Sequence, residues 1–333
     1  MVNNIKKAGL LLLSLVLLLL ISGCGQGDKK TYINIGTTST SSSHYPYFVA
    51  IAKSINNSVP EVQVNPIESG ATVDNLKRIG TGEFDMGLTG HPVAYENYQG
   101  IGTYEGKKND KLRVMWYFGT VPITIVVRAD AGINSIYDLN GKPFSAGGTG
   151  SSTEKMVKQA FDVLGISPKF YPSSFDDAAQ AMQDQNIVGL AKNSGGLKTQ
   201  DSIISQLQTQ MELKFLSIKP EDAKKIQEEF PHYVFAEIAD GVYKDQGGAV
   251  LSIAQATYVT GSSDISEDLA YKMVKAVFND RDAQEVSFPG LKEVDYLEVI
   301  KYATFPLHSG TVKYLEEQGV EVSAEFIPPE YKG

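Results

Sequence analysis

One arrangement of short elements occurs twice in this chain, first over residues 32–88 and again over residues 142–190. Each copy starts with a β-rich run that ends in a loop of Gly, Ser and Thr, and a helix-length segment with an apolar stripe follows the loop. A second strand, a second helix and a third strand complete each copy. The spacing of the stripes is typical of helices that pack on a sheet. The pattern predicts an α/β protein with largely parallel sheets, built from two similar βαβαβ lobes that face a shared cleft. The stripes consist of Phe48, Ile51, Ala52 and Ile55 in the first copy, and of Met156, Val157, Ala160, Phe161 and Leu164 in the second.

The two loops, 36–43 and 147–153, are candidate binding elements because each precedes a helix. The first amide groups of a helix have no partner within it, and the helix dipole places partial positive charge there. Small residues let an anionic group approach those amides, and hydroxyl groups add donors. A carboxylate, sulfonate or phosphate could be held in this way without a basic side chain. The alternative is that the hydroxyls only cap their helices, and Ser151 followed by Glu154 fits a capping box.

The N-terminus has the features of an export signal. Lys6 and Lys7 precede an apolar run over residues 8–21, which is shorter than the roughly 20 residues of a membrane span. The segment 21–24, Ile-Ser-Gly-Cys, resembles the bacterial lipobox, in which the cysteine is lipidated. We therefore predict a signal peptide at 1–23, lipidation of Cys24 and a polar tether at 24–31. The protein would be extracytoplasmic and anchored to the outer face of the bacterial cell membrane, or periplasmic. A plain signal peptide with an incidental cysteine is the alternative.

Charge and motif content restrict the function. The net charge of −9 becomes −11 when Lys6 and Lys7 leave with the signal peptide, which disfavours a nucleic-acid partner. The sequence has no G-x-S-x-G elbow, no GK[ST] phosphate loop, and no H-x-x-H or H-E-x-x-H spacing among its four histidines. With one cysteine, a zinc site is also disfavoured. The chain is therefore predicted not to be an enzyme and to carry no cofactor and no metal ion.

Several segments, taken in their order along the chain, resemble one known family. Residues 35–40 with Tyr45 and Pro46 are similar to a GTGSTGGxYYP loop, residues 68–76 to TGGSVENL, residues 82–88 to GEADLAL, and residues 305–310 to PLHPGA. On this basis the chain resembles the TAXI-type solute receptors of tripartite ATP-independent periplasmic (TRAP) transporters over nearly all of its mature length.

The resemblance implies a type II periplasmic-binding-protein fold, in which two lobes joined by two crossover strands enclose a ligand. The residues predict two β-rich runs, 112–118 and 123–128, broken at 119–122, where the first crossover is placed, and a return crossover within 243–255. Lobe 1 would then comprise 32–118 and 250–333, and lobe 2 would comprise 119–249. The family also implies a membrane permease as partner, an ion gradient as the energy source, and a small carboxylate such as glutamate or 2-oxoglutarate as ligand.

The chain departs from the family pattern inside the candidate site. Thr38, Ser41 and Ser42 stand where the family often has glycine, so a loop that needed positive φ would have to be built differently here. The segments 89–92 and 193–196 also differ from the usual family residues.

Ligand contacts are expected from loops at the carboxyl ends of strands. The chain has only four arginines, and Arg128 is expected to pair with Asp130, so amides and hydroxyls are preferred over an arginine clamp. His91 could donate to an anion or lie in a surface turn, His44 is expected to point outward, and His308 is expected to cap a helix. The predicted ligand-binding residues are Thr37, Thr38, Thr40, Tyr45, Gly90, His91, Thr149, Gly150, Ser151, Ser152, Ser194 and Gly195.

These observations predict a lipid-anchored solute receptor that closes on a small carboxylate or amino acid and delivers it to a TRAP permease. The alternative partner is an ABC-type importer. A secreted hydrolase using Ser151 and His308, and a ligand-free adhesin or sensory lipoprotein, are the candidates from other functional classes.

Overall fold

Both copies of the sequence pattern fold as βαβαβ units in the structure, a computed structural model that describes residues 30–333. The predicted signal peptide, Cys24 and most of the predicted tether therefore lie outside the described residues. The strands are β1 (Thr31–Gly36), β2 (Val62–Ile67), β3 (Met86–Gly90), β4 (Leu112–Arg128), β5 (Pro143–Ser145), β6 (Lys169–Phe170), β7 (Gly189–Asn193), β8 (Leu213–Leu216), β9 (Val234–Ile238) and β10 (Val250–Ser262).

Helices follow or precede most strands, as the alternating pattern predicts. The helices are α1 (Tyr45–Ser58), α2 (Thr72–Gly80), α3 (His91–Gln99), α4 (Ser152–Val163), α5 (Phe175–Gln183), α6 (Ser202–Gln208), α7 (Pro220–Glu229), α8 (Glu267–Asn279), α9 (Arg281–Ser287) and α10 (Ser309–Glu317). Short 3₁₀ segments lie at Gly102–Tyr104, Ala129–Ala131, Ile136–Leu139, Pro289–Glu293, Tyr296–Lys301 and Ala324–Phe326.

The apolar stripes of α1 and α4 face the core, as their spacing predicts. All four stripe residues of α1 are buried, and in α4 the stripe is buried except at Leu164, which is partly exposed. The helix starts also have local causes: Ser151 caps α4 and Asp201 caps α6 through their side-chain oxygens, and Pro46 occupies the first turn of α1.

The strands form one path in the order β2-β1-β3-β10-β4-β7-β5-β6, with β8 paired to β4 and β9 paired to β10. Neighbours are parallel within each βαβαβ unit, β1 with β3 and β5 with β6 and β7, whereas β10 runs antiparallel to both β3 and β4. The mixed sheet and its flanking helices are those of the periplasmic-binding-protein fold.

Strand β4 lies in the middle of this path, between β10 and β7. We expected two β-rich runs broken at 119–122, but the structure has one strand of 17 residues. The first part of β4, up to Pro122, pairs with β10, and the part from Ile123 onward pairs with β7 and β8. The pairing with β10 shifts register between Gly119 and Tyr117 and again between Trp116 and Val114, so the irregularities are bulges within a continuous strand.

The apolar core is divided on the two sides of this long strand. One cluster draws its buried members from 33–118 and 256–322, and includes Trp116. Two further clusters draw theirs from 123–253 and 126–250. We call the residues around the first cluster the first half and those around the other two the second half. Among residues 30–333, no helix is both long and apolar enough to cross a membrane.

Candidate ligand-binding site

A small cavity of about 20 Å³ lies where the two βαβαβ units face each other. It borders the loop before α1, the start of α2, the end of β3, the start of α4, the end of β7 and the middle of β10. Four of the predicted ligand-binding residues, Thr38, Gly90, Ser151 and Ser152, line this cavity. The other lining residues are Ser42, His44, Ala71, Thr72, Leu88, Thr153, Phe175, Lys192, Asn193, Gln255 and Thr257.

The loop before α1 is built from turns. The amide of Ser42 donates to the carbonyl of Ser39 at 3.1 Å, and the amide of Tyr45 donates to that of Ser42 at 3.0 Å. Neither Thr38, Ser41 nor Ser42 adopts positive φ. Side chains therefore stand where the family pattern has glycine, without backbone strain.

Three predicted residues of this loop have other partners. The Thr37 hydroxyl is buried and donates to the carbonyl of Ile67 at 2.8 Å. Thr40 is exposed, and its amide donates to Glu68 at 3.0 Å. Tyr45 begins α1 and is partly exposed. These three residues belong to the loop or to the first turn of α1, and they do not line the cavity.

The loop before α4 caps its helix and also borders the cavity. The Ser151 hydroxyl accepts from the amide of Glu154 at 3.1 Å, and the Glu154 carboxylate accepts from the amide of Gly150 at 3.0 Å. Ser151 and Ser152 also line the cavity. Thr149 is exposed and bonds to Ser173 through both its amide and its hydroxyl, so it belongs to the outer side of the loop.

The end of β3 brings Gly90 against the second half. A Cβ atom at Gly90 would lie 1.8 Å from the Gln255 Oε1 atom and 2.8 Å from the Ser152 Oγ atom. Only glycine allows these side chains to approach so closely. His91, the next residue, is buried beside Tyr95 and Tyr258, and burial lowers its pKa to about 4. His91 is thus a neutral buried side chain behind the cavity wall.

Ser194 and Gly195 lie elsewhere. The Ser194 hydroxyl donates to the carbonyl of Gly196 at 2.6 Å, which leaves it engaged within its own loop. Gly195 borders a separate cavity of about 130 Å³ beside residues 117–121 of β4, and the stacked rings of Tyr117 and Tyr302, 4.1 Å apart, also line it.

Lys192 is the principal residue that the sequence analysis missed. Its side chain is almost fully buried, yet it lines the cavity. Its ammonium lies 3.2 Å from Asp201 Oδ2, 3.5 Å from Ser42 Oγ and 4.3 Å from the centre of the Phe175 ring. A lysine within the otherwise small or apolar run Gly-Leu-Ala-Lys at a strand end was the available sequence signal.

Gln255 and Asn193 form a second polar group that was missed. Asn193 Oδ1 accepts from Gln255 Nε2 at 3.0 Å and from Thr153 Oγ1 at 3.1 Å. This arrangement leaves Gln255 Oε1, which is buried, without a hydrogen-bond partner. His44 Nε2 is also buried and unpartnered. The expectation that His44 points outward was wrong: its ring packs against Phe288 at 4.9 Å and Phe118 at 6.1 Å, because apolar surface of the first core surrounds it.

Burial keeps His44 neutral. Desolvation, with a smaller contribution from the Lys192 charge, lowers the His44 pKa to about 3. The described part of the cavity lining therefore carries one cation, Lys192, and no carboxylate. Within residues 30–333, no group of His, Cys, Asp or Glu side chains is arranged to hold a metal ion.

Hydrogen bonds connect the two halves around the cavity. Ser43 donates to Asp201 at 3.0 Å, Ser41 donates to Asp176 at 2.7 Å, and the Ser202 hydroxyl donates to the carbonyl of Ser41 at 3.0 Å. The amide of Val73 donates to the carbonyl of Gly150 at 2.8 Å. On another side, Glu96 of α3 pairs with Lys155 of α4 and with His232. The halves are thus held together by polar contacts at several points of the cleft.

Comparison with known proteins places this architecture in a family. The sequence profile of the NMT1-like family matches residues 35–319, most of the chain. The chain belongs to the NMT1-like family. Among solved structures, a protein of Bordetella bronchiseptica RB50 is 16% identical, with a TM-score of 0.52, over 91% of this chain and 93% of that one. At this level of identity, the likeness shows that the two proteins share a fold.

Two other solved structures have lower TM-scores. The alkanesulfonate-binding protein SsuA from Xanthomonas axonopodis pv. citri, bound to MOPS, is 14% identical with a TM-score of 0.47 over 87% of this chain and 91% of its own. A TRAP periplasmic solute-binding protein from Sulfitobacter sp. NAS-14.1, with bound β-D-galacturonate, is 11% identical with a TM-score of 0.47 over 88% of each chain.

Proposed function

We propose that this NMT1-like protein is an extracytoplasmic solute receptor that encloses a small carboxylate between two lobes and delivers it to a membrane permease. Lobe 1 would comprise 32–118 and 250–333, and lobe 2 would comprise 119–249. The observation that carries the proposal is the polar cavity between the two βαβαβ units, which is lined by both loops and by Lys192. Ligands of open α/β sheets bind at this place, beyond the carboxyl ends of strands.

The mechanism would be closure of the lobes around the ligand. A ligand that touches both halves binds the closed arrangement more tightly than the open one, and this difference in affinity shifts the population toward closure. The cavity of about 20 Å³ has room for little more than one water molecule. A solute of several heavy atoms therefore requires the lobes to separate for entry and to close less tightly around it.

The geometry gives no support to a hydrolase. Ser151 lines the cavity and accepts from a backbone amide, whereas His308 caps α10 in the first half and is not among the cavity residues. A nucleophile and its base must lie within hydrogen-bond reach. We accordingly propose that the protein is not an enzyme.

We propose a TRAP permease as the partner, with the mature chain attached to the membrane by lipid on Cys24. An ABC-type importer would require the same clamp from this chain. Reconstitution of the receptor with each type of permease in vesicles separates the two. Uptake that needs a sodium or proton gradient and no ATP supports the TRAP partner, and uptake that needs ATP contradicts it.

The receptor activity is tested by thermal unfolding of the purified protein against amino acids, mono- and dicarboxylates and sulfonates. A ligand at 100 times its dissociation constant adds about 2.7 kcal/mol to the free energy of unfolding, enough to raise the midpoint by about 5 °C or more. A shift with a carboxylate supports the proposal. The absence of a shift across the whole panel contradicts it.

A substitution at the cavity tests the site. Gly90→Ala would push a methyl group into Gln255 and Ser152, so we expect at least a tenfold loss of affinity for any ligand found in the panel. Gly80→Ala is the matched control, because its Cβ would lie 3.6 Å from the nearest atom, Asn109 Nδ2, an ordinary contact. Equal affinities of the two variants, measured by calorimetry, would contradict the site assignment.

A further inference from the structure

The cavity of about 130 Å³, here called the aromatic cavity, lies beside the part of β4 where the pairing of this strand passes from β10 to β7. Its walls come from β4, from residues 195–197 of the second half, and from residues between 288 and 302 of the first half. A Cβ atom at Gly290 would lie 2.4 Å from the carbonyl oxygen of Gly195, so these two loops touch. An occupant of the aromatic cavity would therefore contact residues of both halves.

The aromatic cavity is distinct from the polar cavity between the two βαβαβ units. No residue lines both cavities. Phe288, which lines the aromatic cavity, packs against His44, which lines the polar cavity, and their ring centres lie 4.9 Å apart. The polar cavity is lined by Lys192, whereas no Lys, Arg or His side chain belongs to the described lining of the aromatic cavity. An anionic solute would thus find no cation in the aromatic cavity.

The apolar walls of the aromatic cavity suit a single six-membered ring. The rings of Tyr117 and Tyr302 stack with their centres 4.1 Å apart and their planes inclined by 13°. Phe288, Val121 and Val294 add apolar side chains that are almost fully buried. An apolar protein cavity of about 150 Å³ can hold a benzene molecule, so a volume of about 130 Å³ is close to that of one ring. A ligand ring can pack on such walls in offset or edge-to-face contacts.

Glu293 supplies the one charged group in the described lining of the aromatic cavity. Its side chain is exposed, and Thr199 of the second half donates to Oε1 at 3.5 Å. Burial is the main cause of the raised pKa of Tyr117, and the charge of Glu293 adds to it, so the carboxylate acts on the aromatic wall. An ammonium group on a ring in this cavity would be attracted by the carboxylate and by the aromatic faces.

We propose that the aromatic cavity is a second ligand site, and that it binds a small monocyclic aromatic compound that carries an ammonium group. The ring packs against Tyr117, Tyr302 and Phe288, and the ammonium group lies toward Glu293. The hydroxyl groups of Tyr117 and Thr120 bond to each other at 2.9 Å and require no ligand partner. The proposal goes beyond the receptor function, because this ligand differs in charge from the carboxylate proposed for the polar cavity.

Three compounds separate the contributions of ring and charge: benzylamine, benzoate and n-butylamine. Calorimetry on the purified protein at pH 7 is expected to give at least tenfold tighter binding of benzylamine than of either other compound. Benzoate that binds as tightly as benzylamine contradicts the charge preference, and n-butylamine that does so contradicts the ring preference. Either result, or the absence of benzylamine binding, overturns the proposal. Gly90→Ala alters the polar cavity and should leave the benzylamine affinity unchanged, so a tenfold loss in this variant also overturns it.

Two variants assign the binding to the named residues. Tyr302→Leu removes one aromatic wall but keeps the backbone carbonyl that accepts from the Tyr258 hydroxyl, and benzylamine is expected to lose at least tenfold in affinity. Tyr98→Leu is the matched control, because this half-buried tyrosine of the first half stacks on Phe305 at 5.2 Å and does not line the cavity. Equal benzylamine affinities of the two variants overturn the site.

Glu293→Gln tests the charge at an exposed side chain, where the substitution is not expected to affect folding. The ratio of benzylamine to benzoate affinity should fall at least fivefold, because the neutral amide no longer attracts the ammonium group. Glu298→Gln, at a second glutamate of the first half that does not line the cavity, is the control. An unchanged affinity ratio in Glu293→Gln overturns the proposed position of the ammonium group, whether or not Tyr302→Leu folds.

Discussion

The substitution Glu96→Gln is expected to weaken lobe closure without unfolding either half. The Glu96 side chain is 3% exposed and accepts from Lys155 Nζ and, at 3.3 Å, from His232 Nε2. Lys155 also donates to Thr103 at 2.7 Å. Burial alone would raise the pKa of Glu96, but the hydrogen bonds from His232 and Lys155 outweigh burial, and the net effect is a lowered pKa. The carboxylate is therefore charged in the closed arrangement.

The magnitude follows from the loss of one charge in an otherwise similar side chain. A hydrogen bond to a charged group contributes about 1.5–3 kcal/mol, and one between neutral groups contributes about 0.5–1.5 kcal/mol. The glutamine retains an acceptor for Lys155, so the closed arrangement should lose about 1–2 kcal/mol relative to the open one. This corresponds to a factor of about 5–30 in the equilibrium between them. We expect the contacts of Glu96 to persist in the less tightly closed arrangement that holds the ligand, so the dissociation constant should rise by up to the same factor.

Calorimetry gives the dissociation constant, and small-angle X-ray scattering of the ligand-free protein gives the shift toward a larger radius of gyration. Glu317→Gln is the matched control, because Glu317 pairs with Lys275 in a solvent-exposed position within the first half. Such surface pairs contribute little. If Glu96→Gln has the scattering curve and the affinity of the unmodified protein, Glu96 does not hold the lobes closed.

Two further expectations concern stability. Tyr47→Phe should lower the free energy of unfolding by about 1–3 kcal/mol in urea titrations, because Trp116 Nε1 donates to the Tyr47 hydroxyl at 2.7 Å in the core and would lose its partner. Tyr32→Phe is the control, because its side chain is 68% exposed and its loss should leave the free energy of unfolding unchanged. Equal effects of the two substitutions would refute the reasoning. The buried His44 and His91 have pKa values of about 3 and 4, against an ordinary value of 6.5, so below pH 6.5 the unfolded chain binds protons that the folded chain does not. The free energy of unfolding should then fall as the pH is lowered from 7 to 5, by at most about 1.4 kcal/mol per pH unit for each imidazole. A free energy of unfolding that stays constant over this range in urea titrations would contradict the burial of these rings.

The elements of the fold could be predicted well because they depend on local patterns. The apolar spacing of α1 and α4 identifies the face that each helix buries, and the Gly-Ser-Thr loops identify where those helices start. The predicted ion pair of Arg128 with Asp130 and the capping role of His308 are also present, since both involve neighbours in sequence. The single long strand β4 was not predicted, because a Gly and a Pro within a β-rich run usually interrupt it. Here residues 119–122 pair in regular register with residues 254–257 of β10, and this pairing keeps the strand continuous.

The candidate site was predicted only in part. The sequence indicated which loops face the cleft, and Thr38, Gly90, Ser151 and Ser152 do line the cavity. It did not indicate which hydroxyls are engaged elsewhere, as that of Thr37 is by Ile67 and that of Ser194 by Gly196. The first bond depends on how the loop after β1 packs against the end of β2, and the second depends on the turn that the chain makes after β7.

Sequence alone therefore determined the order of elements, the start of the loop-following helices and the family resemblance, because those properties are carried by spacing and by residues close together in the chain. Only the tertiary structure decided that Lys192 and Gln255 share one cavity. It also decided that Asp201, which caps α6, pairs with Lys192 and accepts a hydrogen bond from Ser43. These residues come from strands and loops far apart in sequence. Their side chains form one polar cavity only when folding brings the two halves together.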